Sequence, residues 1–124
     1  MKRGAVCIRR WVAAATVVVM FSACAGSDTE PRRMMLVVGT EMAFQAPDRA
    51  AAGDYSVTFR NAGLVPHELA FRDPSGEFVM RRSIAGGQSV DLEVALTPGT
   101  WELGCFEPGH YEAGMHRALI VEEG

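Results

Sequence analysis

Side chains that carry reactive chemistry are scarce in this chain of 124 residues, which has three histidines and three cysteines. Of the cysteines only Cys105 lies beyond residue 24, so a domain following that point has no internal disulfide. No Ser-His-Asp pattern and no glycine-rich phosphate loop is present. Asp54, Asp73 and Asp91 read as turn or edge residues, with no paired carboxylates for acid–base work. No apolar run reaches the ~20 residues that a membrane-spanning helix needs. Sustained helical periodicity and internal repeats are missing too.

Basic charge is also in short supply once the chain is divided. Four of the 12 Lys+Arg (Lys2, Arg3, Arg9, Arg10) and none of the 15 Asp+Glu precede Cys24, so 8 face 15 in the remainder, a formal charge of −7. That balance excludes a nucleic-acid partner, which needs a basic face. It equally excludes polybasic docking to anionic lipid.

The basic residues at the start have another use. "MKRGAVCIRRW" is basic, "VAAATVVVMF" apolar and "SACAG" small, the three-part layout of an export signal over residues 1–23. "FSAC", Phe21 to Cys24, resembles a bacterial lipobox, with Phe21 where leucine is usual; the resemblance implies lipidation of Cys24. A simple cut after Ala25, using Ala23 and Ala25, is the alternative. Arg9-Arg10 is a weak hint of twin-arginine export. "AGSDTEPRR" is small, polar and Pro-containing, so residues 24–33 form a tether and residues 34–124 the domain.

From Met34 onward, short β-patterned runs alternate with turn signals. "MMLVVGTEMAF" supplies one long or two short strands with Gly39 at a bend or bulge. "DYSVTFRN" puts Tyr55, Val57 and Phe59 on one face, and "SVDLEVAL" does so for Val90, Leu92, Val94 and Leu96. "HELAF" and "EFVMR" flank the turn "RDPSGE". "TWELGC" aligns Trp101, Leu103 and Cys105, and "HRALIVE" aligns Leu119 and Val121. "DRAAAGD" is read as a single helical turn stopped by Gly53. Seven to eight strands in so short a domain indicate a β-sandwich, whose apolar faces bury one another across two sheets.

One stretch resists this pattern. "CFEPGHYEAGM" carries a thiol, an imidazole and a thioether at steps of five: Cys105, His110 and Met115. Neither a helix nor a strand puts the three on one face, and Pro108-Gly109 breaks both elements. A loop that gathers soft ligands points to a metal. His67, after Pro66 and at the start of a strand, completes the set; His116 reads as a surface residue. Two imidazoles and a thiolate with a weak axial thioether make the type 1 copper arrangement. Zinc fits less well, because it seldom takes a thioether. Met34, Met35, Met42 and Met80 share no spacing and read as strand residues, while Glu107 and Glu112 read as solvated.

"LTPGTWELGCFEPGHYEAGMHRALIV" resembles the C-terminal copper loop of the cupredoxins, the small blue copper proteins, with the spacing of their auracyanin-like members. "NAGLVPHEL" is similar to the family's upstream histidine segment. The resemblance implies a Greek-key β-sandwich binding one mononuclear copper ion, with His67, Cys105 and His110 equatorial and Met115 axial. It implies electron transfer without substrate chemistry, His110 being the exit edge, and no enzyme activity. The expected setting is the cell envelope, where a lipid-anchored monomer meets larger redox proteins as donor and acceptor. A copper chaperone or buffer for another exported protein is the alternative function. Glu68 and Arg117 depart from the family pattern, which has asparagine and glycine there.

Overall fold

The alternation read from residue 34 onward becomes nine strands in the computed structural model, which describes residues 30–124. In chain order they are β1 (Arg33–Thr40), β2 (Ala43–Gln45), β3 (Arg49–Ala51), β4 (Gly53–Asn61) and β5 (His67–Arg72). Then follow β6 (Phe78–Ile84), β7 (Ser89–Leu96), β8 (Gly99–Gly104) and β9 (His116–Glu122). One sheet has the order β2-β1-β4-β7, the other β3-β9-β8-β5-β6. The chain crosses from the first sheet to the second for β3, returns for β4, crosses for β5 and β6, returns for β7, and crosses again for β8 and β9. This is the expected Greek-key sandwich.

Each strand's inward parity builds the core. Met35 and Val37 of β1, Tyr55, Val57 and Phe59 of β4, and Val94 and Leu96 of β7 face Leu69, Phe71, Trp101, Leu103, Leu119 and Val121. Burying side chains of this size stabilises by roughly 1.5–3 kcal/mol each relative to exposure. The buried polar tips are satisfied: Trp101 Nε1 donates to the Thr97 carbonyl at 2.7 Å, and the Tyr55 hydroxyl to that of Ala51 at 2.9 Å.

Four local readings are corrected. "MMLVVGTEMAF" gives two strands, β1 and β2, and the one strand beyond the expected seven to eight is the short β3. "DRAAAGD" makes no helical turn; Arg49–Ala51 pair in parallel with Ile120–Glu122, because the sheet edge offers backbone partners that an isolated turn lacks. Gly39 is neither bend nor bulge: β1 runs straight through it, paired to Phe44 and Asn61. A methyl group on Gly39 would lie 3.3 Å from Phe59 and 3.4 Å from the Met115 methyl, so glycine is there for room. Met42 is in the Glu41-Met42 turn of the β1–β2 hairpin, at φ 61°, because so tight a connection needs a left-handed residue.

The signal at 1–23 and the lipidation residue Cys24 lie outside the described residues, as does the tether up to residue 29. Arg33, read as the last tether residue, is the first of β1, and Arg32 pairs with Glu93 of β7.

Candidate metal centre

The centre forms at one end of the sandwich, where the β4–β5 connection meets the β8–β9 loop. Asn61, the last residue of β4, follows Tyr55, Val57 and Phe59 on the inward parity and is fully buried. Its Nδ2 donates to the carbonyls of Val65 (2.8 Å) and Ile84 (3.2 Å), and its Oδ1 accepts from Gly63 N–H at 2.9 Å. Those bonds set the path of the connection and deliver His67, the first residue of β5, into the interior with its side chain fully buried.

Cys105 continues the inward alternation of Trp101 and Leu103 one step past β8. The chain then folds back through its own hydrogen bonds. His110 N–H donates to the Glu107 carbonyl (3.0 Å), Ala113 N–H to Gly109 (3.1 Å) and Met115 N–H to His110 (3.0 Å). Cys105 N–H closes the loop on the Met115 carbonyl at 3.0 Å. His110 is thereby returned over Cys105, and Met115 is buried beneath, against Gly39.

The donor atoms converge. His67 Nδ1 lies 3.2 Å from His110 Nδ1, and Cys105 Sγ lies 3.4 Å from the same His110 atom. One ligand atom from each of the three residues falls within 4.8 Å of the others. Donors about 2.0–2.3 Å from a shared ion, the usual lengths for imidazole and thiolate, stand roughly this far apart. The structure thus brings His67, Cys105 and His110 together, with Met115 at the base of the same loop.

Electrostatics favour an ion as well. Burial, and then the neighbouring His110, hold the His67 imidazole below its ordinary pKa, so the ring is neutral and ready to donate a lone pair. Burial pushes the Cys105 thiol up, while backbone N–H groups of Glu68 and Glu107 favour the thiolate. The Glu68 N–H reaches the sulfur at 3.3 Å. A cation replacing the thiol proton would restore the balance that burial upsets.

Neither departure from the family pattern places a charged group in contact with the sulfur, although the Glu68 carboxylate acts on it through space and adds to the rise of the thiol pKa. Glu68 turns outward to Arg81, with contacts of 2.9 and 3.2 Å. Arg117 reaches the Phe44 carbonyl at 3.3 Å and the carboxylate of Asp48, joining β9 to the other sheet. Glu107 is not simply solvated: its carboxylate accepts the Ser83 hydroxyl and ties the loop to β6. His116 is exposed, as expected, but stacks on Tyr111 at 4.3 Å. Asn61 and this Ser83–Glu107 tie were not identified from the sequence. The signal for Asn61 was there, as a polar residue ending an inward-facing apolar series.

No protein-family profile matches the chain, and no curated protein sequence does. Solved structures do. Reduced auracyanin from Roseiflexus castenholzii aligns with a TM-score of 0.61 at 17% identity, covering 74% of this chain and 99% of that one. Reduced rusticyanin aligns at 0.59 and 19%, covering 74% and 81%. A multicopper oxidase aligns at 0.54 and 23%; 74% of this chain is covered but only 42% of that longer one. At these identities the likeness establishes the fold, a cupredoxin-like β-sandwich.

Proposed function

We propose that this protein is a one-electron carrier of the cell envelope, with a single copper ion held by His67, Cys105 and His110 and a weak axial bond from Met115. The carrying observation is the convergence of two imidazole Nδ1 atoms and one thiolate sulfur at the end of a rigid sandwich. Copper bound there supplies a one-electron couple, and a mixed sulfur–nitrogen ligand set suits both of its oxidation states. His67 and Cys105 are fully buried and fixed by the strands, which limits rearrangement and excludes water. His110 is partly exposed and offers an edge for electron exit. Auracyanin and rusticyanin, which share the fold, are both described in reduced states. An oxidase that handles several electrons needs further centres, whereas these ligands assemble one. The export-signal pattern over residues 1–23 and the lipobox-like "FSAC" ending at Cys24 support placing it outside the cytoplasm as a membrane-tethered monomer that meets larger redox proteins.

Loading the purified protein with Cu(II) tests the reading. An intense visible thiolate-to-copper band is expected, and Cys105→Ser should abolish it. A colourless protein with intact Cys105 overturns the proposal. Fast electron self-exchange with slow loss of Cu(I) to a chelator separates a carrier from a chaperone.

A further inference from the structure

His67 turns Nδ1 toward His110 and Cys105, leaving Nε2 on the far side of the ring. That atom is buried and has no hydrogen-bond partner. Buried ring nitrogens are rarely left so, and a metal-bound imidazole normally donates its other N–H to an acceptor that fixes tautomer and orientation. A carboxylate stands nearby: Glu41 Oε2 lies 4.0 Å from His67 Nε2.

The carboxylate is held in that position by the chain around it. Leu64 N–H donates to Glu41 Oε1 at 2.6 Å. Gly63 leaves the space the carboxylate fills, since a Cβ there would collide with both of its oxygens. Glu41 itself projects from the β1–β2 turn, whose second residue, Met42, accepts a left-handed φ of 61°. Three separate positions thus accommodate one acid beside one orphaned nitrogen.

We propose that Glu41 is a positioning residue for His67, its carboxylate accepting the Nε2–H when Nδ1 binds the metal. Rotation of the half-exposed Glu41 side chain closes the 4.0 Å gap. The inference rests on the copper reading above. Its consequence is electrostatic: a negative charge behind the ring makes the imidazole a stronger donor and favours Cu(II) over Cu(I).

The test compares Glu41→Gln and Glu41→Ala with the wild type in the copper-loaded protein. Glutamine keeps an acceptor for Leu64 N–H and removes only the charge. Glu41→Gln should shift the relative affinity for Cu(I) over Cu(II) about tenfold, raising the reduction potential by ~59 mV, with an unchanged urea midpoint. In nitrogen-15 spectra of the Cu(I) form, the His67 Nε2–H signal should move in Glu41→Gln and be lost to solvent exchange in Glu41→Ala. Wild-type potential and an unmoved signal in Glu41→Gln would overturn the inference, leaving Glu41 as a cap for the 63–65 segment. If copper gives no blue band, the carrier reading fails by itself, and the zinc-loaded protein, with Nδ1 held by the ion, still decides on Glu41. An Nε2–H signal that moves in Glu41→Gln supports the positioning role there, and one that does not move rules it out.

Discussion

His67 and His110 offer the same ring atom to the same point, but the chain brings them there by different means. His67 is fully buried at the start of a strand, and the connection before it is fixed by the buried amide of Asn61. His110 is partly exposed in a loop held mainly by short-range backbone turns and surface stacking. The first half of the site inherits the rigidity of the sandwich. The second half gives access to the outside. A carrier needs both, since low reorganisation and a short path to a partner make opposite demands on exposure.

Breaking the rigid half should cost most. Asn61→Ala leaves the Val65 and Ile84 carbonyls and the Gly63 N–H without their partner in a buried place. Abandoned buried groups cost ~1–3 kcal/mol each, with partial recovery by relaxation, so a loss of about 3 kcal/mol is expected. Urea denaturation of the metal-free protein checks this; a loss below ~1 kcal/mol would mean that water replaces the amide freely.

The loop half should yield less. Phe106 stacks on Tyr111 at 4.9 Å, meets Phe78 edge-on at 5.1 Å, and lies under the guanidinium of Arg72 at 5.0 Å. Such contacts contribute roughly 0.5–1.5 kcal/mol each, less where exposed. Phe106→Ala is expected to destabilise by about 1–2 kcal/mol, and to quicken copper loss more than Asn61→Ala does for equal destabilisation. Chelator-driven copper release measured on both variants decides whether the stack holds the loop.

The same contrast explains what the sequence made legible. Strand faces were readable because alternation is local: Tyr55, Val57, Phe59, Trp101 and Leu103 needed no knowledge of their partners. The metal ligands were readable because their types are rare and their spacing fits no regular element. The supports were hidden because each depends on a distant residue. Glu68 adjoins a ligand yet serves Arg81, and Ser83 serves Glu107 from a strand with no motif. Gly39 looked like a chain bend because nothing local reveals that Phe59 and Met115 approach it. Asn61 and Arg117 share one signature, a polar side chain on an apolar parity, and each bridges separate parts of the fold.

Acidity probes the two ligand environments without mutation. The folded His67 pKa lies below its unfolded value of 6.5, so its contribution is present above about pH 6.5 and is lost as pH falls through the folded value. The folded Cys105 pKa lies above its unfolded value of 9.0, so that contribution is present below about pH 9 and is lost as pH rises toward the folded value. The metal-free protein should therefore be most stable between these limits. Urea midpoints across pH 5–10 should fall at both ends, with the alkaline fall reduced in Cys105→Ser. An alkaline fall that survives this change would assign it to another group.

The smallest effect is expected where the two halves are tied at the surface. The Ser83 hydroxyl on β6 donates to Glu107, three residues before His110, while the neighbouring strand β5 carries His67. The pair is exposed, so water competes well, and Ser83→Ala should cost only about 0.5–1 kcal/mol. Its value is directional. If the loop is an independent unit, amide exchange should quicken from Glu107 to Gly114 while the Asn61–His67 segment keeps its protection. Equal quickening on both sides would show that rigidity is shared across the centre rather than supplied by the His67 half.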